Sequence, residues 1–574
     1  MSAATSLHHP DIDCDVLIVG SGAAGLSAAV TAAWHGLKVI VVEKDPVFGG
    51  ATAWSGGWAW VPCNPLAQRA GIVEDVELPR TYLKHELGAR YQPALIDAFL
   101  EAGPRMVAFF ERHTALQFAD GNGIADIHGD SPGAGTGGRS VIAAPYDARQ
   151  VGKLLKRLRR TLRETSFMGM PIMAGADLSA FLNLTRSLPA AWHVTRRLSR
   201  HLLDLAVHGR AMQLVNGVAL IARLAKSAEE LGVLLWESAP VTELLQDNGA
   251  VTGAVVSTAR GQIRINAAKA VVLAAGGFPN DIERRKALFP RTPTGHEHLA
   301  LPPLGASGDG LRLGESVGAQ VNSDMESPVA WAPVSAVPHK DGSIGHFPHI
   351  IERGKPGIIG VLSNGRRFVN EADGYYDYVR AMVAAAPEGE EVASWLICSH
   401  AFQRRYGLGI SRPFPLPVAP FIHSGYLKCA PSIEALAQAC GIDVNGLRET
   451  LSHYNRHAHQ GQDPEFGRGS TPYNRKQGDP LQQPNPCVAP IEHGPFYAVK
   501  VQPGCFGTFA GLKVNQHAQV LDAQGQAIAG LYAAGTDMAS IMGDHYPAGG
   551  INLGPALTFG YIAGRHVAGA IAYE

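Results

Sequence analysis

Read for its apolar and polar positions, the chain first shows order at Asp15-Val-Leu-Ile-Val19, a short β-branched apolar run that ends in a glycine turn. Gly20-Ser-Gly22-Ala23-Ala24-Gly25 follows, then an Ala-rich segment from Leu26 to His35, then a second apolar run from Lys38 to Val42. The pattern predicts strand, tight turn, helix, strand. Gly232-Val-Leu-Leu-Trp236 reads as a further strand. Between these stretches, Leu154, Leu155, Leu158 and Leu162 recur at helical spacing, as do Leu198, Leu202, Leu203 and Leu205, which predicts two amphipathic helices within 151–210. From about Leu301 to about Cys487 the pattern changes to segments punctuated by Pro and Gly with scattered aromatics.

The glycine turn carries the first candidate chemistry. Gly20, Gly22 and Gly25 would let the backbone approach a pyrophosphate at a helix N-terminus and let helix pack on strand. Glu43 closes the second strand 18 residues after Gly25, where an acid accepts bonds from adenosine ribose hydroxyls. FAD and NAD share this fingerprint. The next loop, Lys44 to Phe48 and then Gly49-Gly50-Ala51-Thr52-Ala53-Trp54-Ser55-Gly56-Gly57, favours a flavin. Its small residues suit a loop lying along an extended cofactor, with Thr52 and Ser55 as donors to the ring.

Composition fits that picture. Charged residues are 17% of the chain, against about 25% on average, and 66 of 574 residues are glycine. The net charge of −1 gives no global field toward nucleic acid, so steering of any substrate is local. Seven scattered cysteines without a Cys-x-x-Cys predict reduced thiols in a cytoplasmic protein and no metal site. The absence of a signal-like N-terminus or an apolar run of about 18 residues predicts neither secretion nor membrane spanning. Residues 151–210 are the exception to this neutrality, with eleven Lys/Arg against three acids. Their two basic helices could form a solvated face, a subunit contact or a peripheral contact with an anionic bilayer.

Towards the C-terminus, Asp544-His-Tyr546-Pro-Ala-Gly-Gly550-Ile-Asn-Leu553-Gly-Pro-Ala-Leu-Thr-Phe-Gly560 sets a phenol beside bare backbone N–H groups. These two neutral donors could hold a carbonyl oxygen and stabilise charge developing on it. A Gly/Pro turn capping a helix is the alternative.

With the glycine turn, Glu43 and the 49–57 loop, the chain resembles the flavoprotein family of the soluble fumarate reductases, the succinate dehydrogenase flavoprotein and the 3-ketosteroid dehydrogenases. Ala239-Pro240-Val241 resembles its adenine contact. Ala270-Val-Val-Leu-Ala274-Ala275-Gly276-Gly277-Phe278 and Gly530-Leu-Tyr-Ala-Ala-Gly535-Thr-Asp537 resemble its later strands. The resemblance implies an α/β fold in which a Rossmann-like FAD-binding domain (1–300 and 488–574) is interrupted by an inserted α+β catalytic domain (301–487). It implies cofactor contacts at Val241, Ala275, Gly276, Gly535 and Leu553. No histidine lies in 49–57, so FAD is expected without a histidine linkage.

Within the family, the C-terminal stretch resembles the Tyr-Pro-x-x-Gly…Gly-Pro-Ala-x-Thr-Phe-Gly pattern of the 3-ketosteroid 1-dehydrogenases. There the tyrosine and the glycine N–H hold the 3-keto oxygen, roles that fall on Tyr546 and Gly550. The motif Arg366-Arg367-Phe368-Val369-Asn370-Glu371 resembles a structural run, and the catalytic tyrosine beyond it falls on Tyr375, with Tyr376 and Tyr378 as alternatives. The implied reaction takes a proton from the carbon beside the ketone and a hydride from the next carbon to flavin N5. An external electron acceptor then reoxidises the flavin. Where those enzymes carry an assisting tyrosine, this chain has Ile127 or His128. His128 thus enters the candidate set, and smaller cyclic ketones stand beside steroids as substrates. A fumarate-reductase-like enoate reductase is a further alternative, disfavoured because the C-terminal motif has no Arg before Arg565.

Overall fold

The computed structural model describes residues 11–570. Strand Ile12–Val19 lies inside an eight-stranded sheet, between Val39–Val42 and Gly261–Leu273, both parallel to it. Val19 stands opposite Val42 on one side and Leu273 on the other. Leu234–Trp236 and Ala527–Ala533 extend the parallel set outward. Leu17, Ile18, Ile40, Val41, Val271 and Val272 are wholly buried, as central strands covered on both faces require. The hairpin Val241–Asp247 and Ala250–Thr258 pairs antiparallel with Gly261–Leu273.

Helix Ala23–Trp34 leaves the glycine turn and packs on the C-terminal helix Leu553–Val567 almost backbone to backbone. A Cβ on Gly560 would stand 2.4 Å from the Ala24 carbonyl oxygen, and one on Gly564 2.8 Å from that of Ala28. This close packing brings the 544–553 stretch over the glycine turn, although the two are more than 500 residues apart in sequence.

A second sheet of seven strands is centred on Phe496–Thr508, which pairs antiparallel with Val329–Pro338 and with Ser394–Ser399. Helix Tyr375–Ala385 packs on Val329–Pro338. One apolar core runs through both sheets. The architecture is α/β with a capping unit, as the family resemblance implies. The segment after residue 488 gives its long strand to the capping sheet, however, and reaches the FAD-side sheet only at Gln519–Leu521 and Ala527–Ala533.

The basic segment departs from its leucine pattern. Residues 148–156 form 3-10 turns broken at Gly152 (φ 64°), and Leu158 pairs as an extended bridge with Phe48. Phe48 N–H donates to Arg157 O at 2.9 Å and Arg159 N–H to Phe48 O at 3.0 Å. The first predicted helix is therefore absent, because this chain pairs with the cofactor loop instead. The second exists as Leu188–His208 but is inverted. Val194, Arg197, His201 and Asp204 face inward, while Leu202 and Leu203 are exposed. Arg197 donates to Pro171 O at 3.0 Å, and His201 Nε2 lies 3.0 Å from Met168 O, so the buried face is held by polar bonds.

Candidate active site

A cavity of ≈ 1350 Å³ runs between the two sheets. At one end are the glycine turn and its neighbours. Gly20 adopts φ +107°, and a Cβ there would lie 2.2 Å from the Ala274 carbonyl oxygen, so only glycine fits. At Gly22 a Cβ would meet only Thr52 Oγ1, at 3.6 Å. The N-cap Gly22 offers no side-chain cap to the 12-residue helix behind it, and among the described residues only the Ala23 N–H of its first turn meets a side-chain acceptor, Thr52 Oγ1. Open space before uncapped N–H groups suits a pyrophosphate. Glu43, 8% exposed, has Oε2 within 2.5 Å of Ser21 Oγ and accepts the Asp45 N–H on Oε1 at 2.9 Å. Its burial raises its pKa even though these hydrogen bonds oppose the rise.

Every expected cofactor residue lines this cavity except Gly25. A Cβ at Gly25 would sit 2.0 Å from the Gly20 carbonyl oxygen, so its glycine serves turn packing. Thr52 Oγ1 accepts the Ala23 N–H at 3.1 Å, leaving its hydroxyl hydrogen for a ligand. Ser55 instead spends its hydroxyl hydrogen on Thr52 O at 2.8 Å. Lys44 pairs with Asp309 at 2.6 Å, tying the loop after Glu43 to the 305–309 turn. Asp537 is a structural member of the groove. Its oxygens accept the Ala275 and Gly277 N–H groups at 2.5 and 2.8 Å, which fixes the turn that ends Gly261–Leu273. Burial pushes its carboxyl up to about 6.

Further along the cavity, Tyr375 and Tyr546 meet edge to face, ring centroids 5.0 Å apart, with Phe506 5.3 Å from Tyr375. Tyr375 opens its helix behind Gly374, and Tyr546 comes from the turn that precedes Gly550. Gly550 adopts φ +103°. A Cβ there would strike Trp60 N at 2.8 Å. Its carbonyl accepts the Trp60 and Gly554 N–H groups at 3.1 and 2.9 Å, while its own N–H has no protein acceptor among the described residues. Burial holds both phenols well above the ordinary tyrosine range, helped for Tyr375 by the adjacent Tyr546. Both are therefore neutral donors at rest.

The alternatives to Tyr375 do not reach the cavity. Tyr376 Oη donates to Asp544 O at 2.5 Å, and Tyr378 Oη bonds Ser394 Oγ at 2.9 Å. His128 is also elsewhere. Its Nδ1 faces Glu86 and its Nε2 lies 3.1 Å from Asp377. Burial alone would lower its pKa, but these two carboxylates raise it to about 10. As a doubly clamped imidazolium it braces the first turn of the Tyr375 helix and has no lone pair for a proton. Ile127 packs at Gly374, and its N–H donates to Pro547 O at 2.9 Å, buttressing the Tyr546 turn.

A third buried cavity tyrosine, Tyr473, has no motif of its own and escaped the sequence reading as a site residue. Burial pushes its hydroxyl up to about 12, opposed by the wholly buried Arg353. Asn552, whose Nδ2 donates to Tyr546 Oη at 3.4 Å, was missed likewise. The Arg367 run is structural. Arg367 is clamped between Glu371 and Asp463 at 2.7–2.8 Å, all three side chains being buried.

A family model described as an FAD binding domain matches residues 15–553. The chain belongs to this family. It is 40% identical over 97% of its length, and 94% of the relative's, to a 4-oxocyclohex-2-ene-1-carboxylate 5-dehydrogenase of Sinomonas cyclohexanicum. A 3-oxosteroid 1-dehydrogenase of Mycobacterium tuberculosis is 33% identical over 96% of this chain and 98% of that one. Among solved structures, the 3-ketosteroid delta1-dehydrogenase of Sterolibacterium denitrificans superposes with a TM-score of 0.90 at 33% identity, covering 97% of this chain and 100% of that one. The protein is an FAD-dependent oxidoreductase acting on CH–CH bonds.

Proposed function

We propose that the protein desaturates the bond beside the ketone of a cyclic substrate, the 1,2-bond of a 3-ketosteroid or the equivalent bond of a monocyclic ketone. The supporting observation is the meeting of Tyr375, Tyr546 and the Gly550 N–H in the cavity that also contains the glycine turn. Tyr546 Oη and the Gly550 N–H hold the ketone oxygen, and their fixed dipoles favour the enolate-like charge that forms as the α-proton leaves. Tyr375 takes that proton. Burial keeps Tyr375 protonated at rest, so it acts as the base only after giving up its own proton; Tyr473, a second protonated phenol of the cavity, can pass that proton on only by releasing its own hydroxyl proton in the same step. When bound, FAD supplies the acceptor for the hydride lost from the adjacent carbon.

A monocyclic substrate is favoured by two observations: the 40% identical relative, and Ile127 or His128 in the place where the resembled steroid enzymes carry a tyrosine. Anaerobic bleaching of the flavin by 3-ketosteroids, cyclic ketones and, as a control, succinate tests the reading. Bleaching by a ketone, with product two mass units lighter, supports it, and bleaching by succinate alone refutes it.

We also propose that Leu188–His208 rests on an anionic bilayer. Leu188, Trp192, Leu203 and Val207 are 87, 72, 64 and 65% exposed, beside exposed Arg196 and Arg200. Among the described residues no helix is long and apolar enough to cross a membrane. The same helix holds the cavity-lining 171–179 segment, since His193 Nε2 and Arg197 Nη1 reach Asp177 at 2.7 and 3.4 Å. Cosedimentation with anionic vesicles that is lost at high salt or in Trp192→Ser supports this contact. No binding even at low salt returns the helix to a solvated role.

A further inference from the structure

Behind the cavity wall, Arg353 is wholly buried and spends its guanidinium on neutral carbonyls. Nε donates to His349 O at 2.7 Å, Nη1 to Glu371 O at 2.8 Å and Nη2 to Asp373 O at 3.3 Å. Its charged carbon lies 4.8 Å from the centre of the Tyr378 ring. The carboxylates nearby are engaged by other groups. Glu352, its neighbour in the chain, lies 2.7 Å from His349 Nδ1. The Asp373 carboxyl accepts from Asn370 Nδ2 at 3.0 Å and Asn474 Nδ2 at 2.9 Å, with Asp377 and His128 beyond it. Carbonyls solvate a guanidinium without cancelling its charge, so in a buried site its field reaches farther than that of a paired arginine.

The carbonyls it holds belong to the loop that sets both cavity phenols. Glu371 and Asp373 lead directly into Gly374 and Tyr375. Asn474, next to Tyr473, donates to Ala372 O at 3.1 Å as well as to Asp373, which ties the Tyr473 turn to the same loop. Arg468 Nη2 donates to Arg353 O at 2.7 Å and fixes the arginine from behind. Burial raises the pKa of Tyr375 and of Tyr473, and Arg353 is the cation that opposes the rise in each. We propose that Arg353 is a positioning residue of the proton transfer: it fixes the loop that aims Tyr375, and its charge stabilises the phenolate through which the α-proton moves. Arg353 exchanges no proton itself and lowers the cost of the charge that passes between the two phenols. The inference rests on the desaturation reading and adds to it a residue that does not line the cavity.

The experiment compares the FAD-loaded wild type with Arg353→Gln, Arg353→Lys and Asp373→Asn, using an α-deuterated cyclohexanone or 3-ketosteroid that bleaches the wild type. Turnover, release of deuterium and ketone binding are read together. Glutamine and lysine can each donate to one loop carbonyl, but only lysine keeps the charge. Arg353→Gln should lower kcat and deuterium release by about tenfold or more, the effect of losing one nearby opposite charge, with ketone binding within about threefold of wild type. Arg353→Lys should stay within about threefold in kcat, a rescue that loop geometry alone does not supply. Asp373→Asn keeps an acceptor toward Asn474 and removes a negative charge that faces Arg353. Burial pushes the Asp373 carboxyl up to about 6, so this variant should gain about twofold or more at about pH 8 and match the wild type at about pH 5. Equal losses in Arg353→Gln and Arg353→Lys, or a loss in Arg353→Gln carried by KM alone, overturns the charge role and leaves desaturation standing. If neither arginine variant folds, Asp373→Asn decides, and no gain at about pH 8, or the same gain at about pH 5, overturns it. Failure of every ketone to bleach the wild type removes the desaturation reading and this inference with it.

Discussion

Replacing Tyr546 with Phe isolates the carbonyl clamp, because the surroundings of its ring constrain the substitution to one atom. The ring stacks on Tyr376 at 5.8 Å and meets the edge of Tyr375 at 5.0 Å, contacts that phenylalanine keeps. The oxygen accepts from Asn552 Nδ2 at 3.4 Å, a long bond whose loss costs little and which leaves the hydroxyl hydrogen for a ligand. The Tyr375 hydroxyl also hydrogen-bonds this oxygen and is released with it, and beyond that one neutral donor is lost from the developing oxyanion. Such a loss costs about 3–4 kcal/mol, or 10²–10³ in kcat, while the Gly550 N–H keeps part of the clamp. Burial raises the pKa of Tyr546 above the ordinary tyrosine range, so it stays protonated and donating across neutral pH. The ratio of wild-type to variant turnover should therefore be flat between about pH 6 and 9. The assay is anaerobic stopped-flow bleaching at saturating ketone, with flavin content measured in parallel. A ratio below about fivefold, or a loss that tracks flavin content, refutes the carbonyl role.

Acid precipitation should leave FAD in the supernatant, since 49–57 carries no histidine and His193, which lines the cavity, is paired with Asp177 at 2.7 Å; flavin that stays with the pellet contradicts this. Gly560→Val should destabilise the fold by about 3 kcal/mol or more, since its Cβ would stand 2.4 Å from the Ala24 carbonyl oxygen; an unchanged urea midpoint would count against the helix contact. His128→Gln should weaken folding near neutral pH by about 1 kcal/mol, discounted because the imidazole side chain is 35% exposed, with turnover within about fivefold of wild type. The His128 pKa is raised on folding, so its contribution is complete below the unfolded value of about 6.5 and is lost as pH rises through about 10. The two urea midpoints should accordingly converge toward pH 10, and a gap that widens instead would contradict the clamp.

The cofactor half of this molecule was legible because each local signal agreed with its tertiary role. The runs at 15–19 and 38–42 are apolar on both faces and became central parallel strands, and the glycines between them have the conformations that a turn under a pyrophosphate needs. Tyr375, Tyr546 and Gly550 were legible through their motifs, yet nothing in the sequence says that they meet. Their meeting depends on Gly560 and Gly564 seating the last helix and on Phe496–Thr508 joining the capping sheet. Tyr473 stands in an undistinguished Thr-Pro-Tyr and is a site residue only by tertiary placement. Periodicity failed at 151–210 because leucine spacing does not say which face is buried. There, polar bonds from Arg197 and His201 took the inside and left Leu202 and Leu203 in solvent. His128 was misread because Glu86, 42 residues away, and Asp377, 249 residues away, claim both its nitrogens.

The central claim, that Tyr375 removes the α-proton from a ketone held by Tyr546 and Gly550, is tested most directly by deuterium exchange at that carbon. Wild-type enzyme given an α-deuterated cyclic ketone should release the label to water and form the desaturated product. Tyr375→Phe should still bind the ketone, seen as a perturbed flavin spectrum, and lose both exchange and desaturation. Exchange at the wild-type rate in Tyr375→Phe would contradict the assignment and move the base to another group in the cavity.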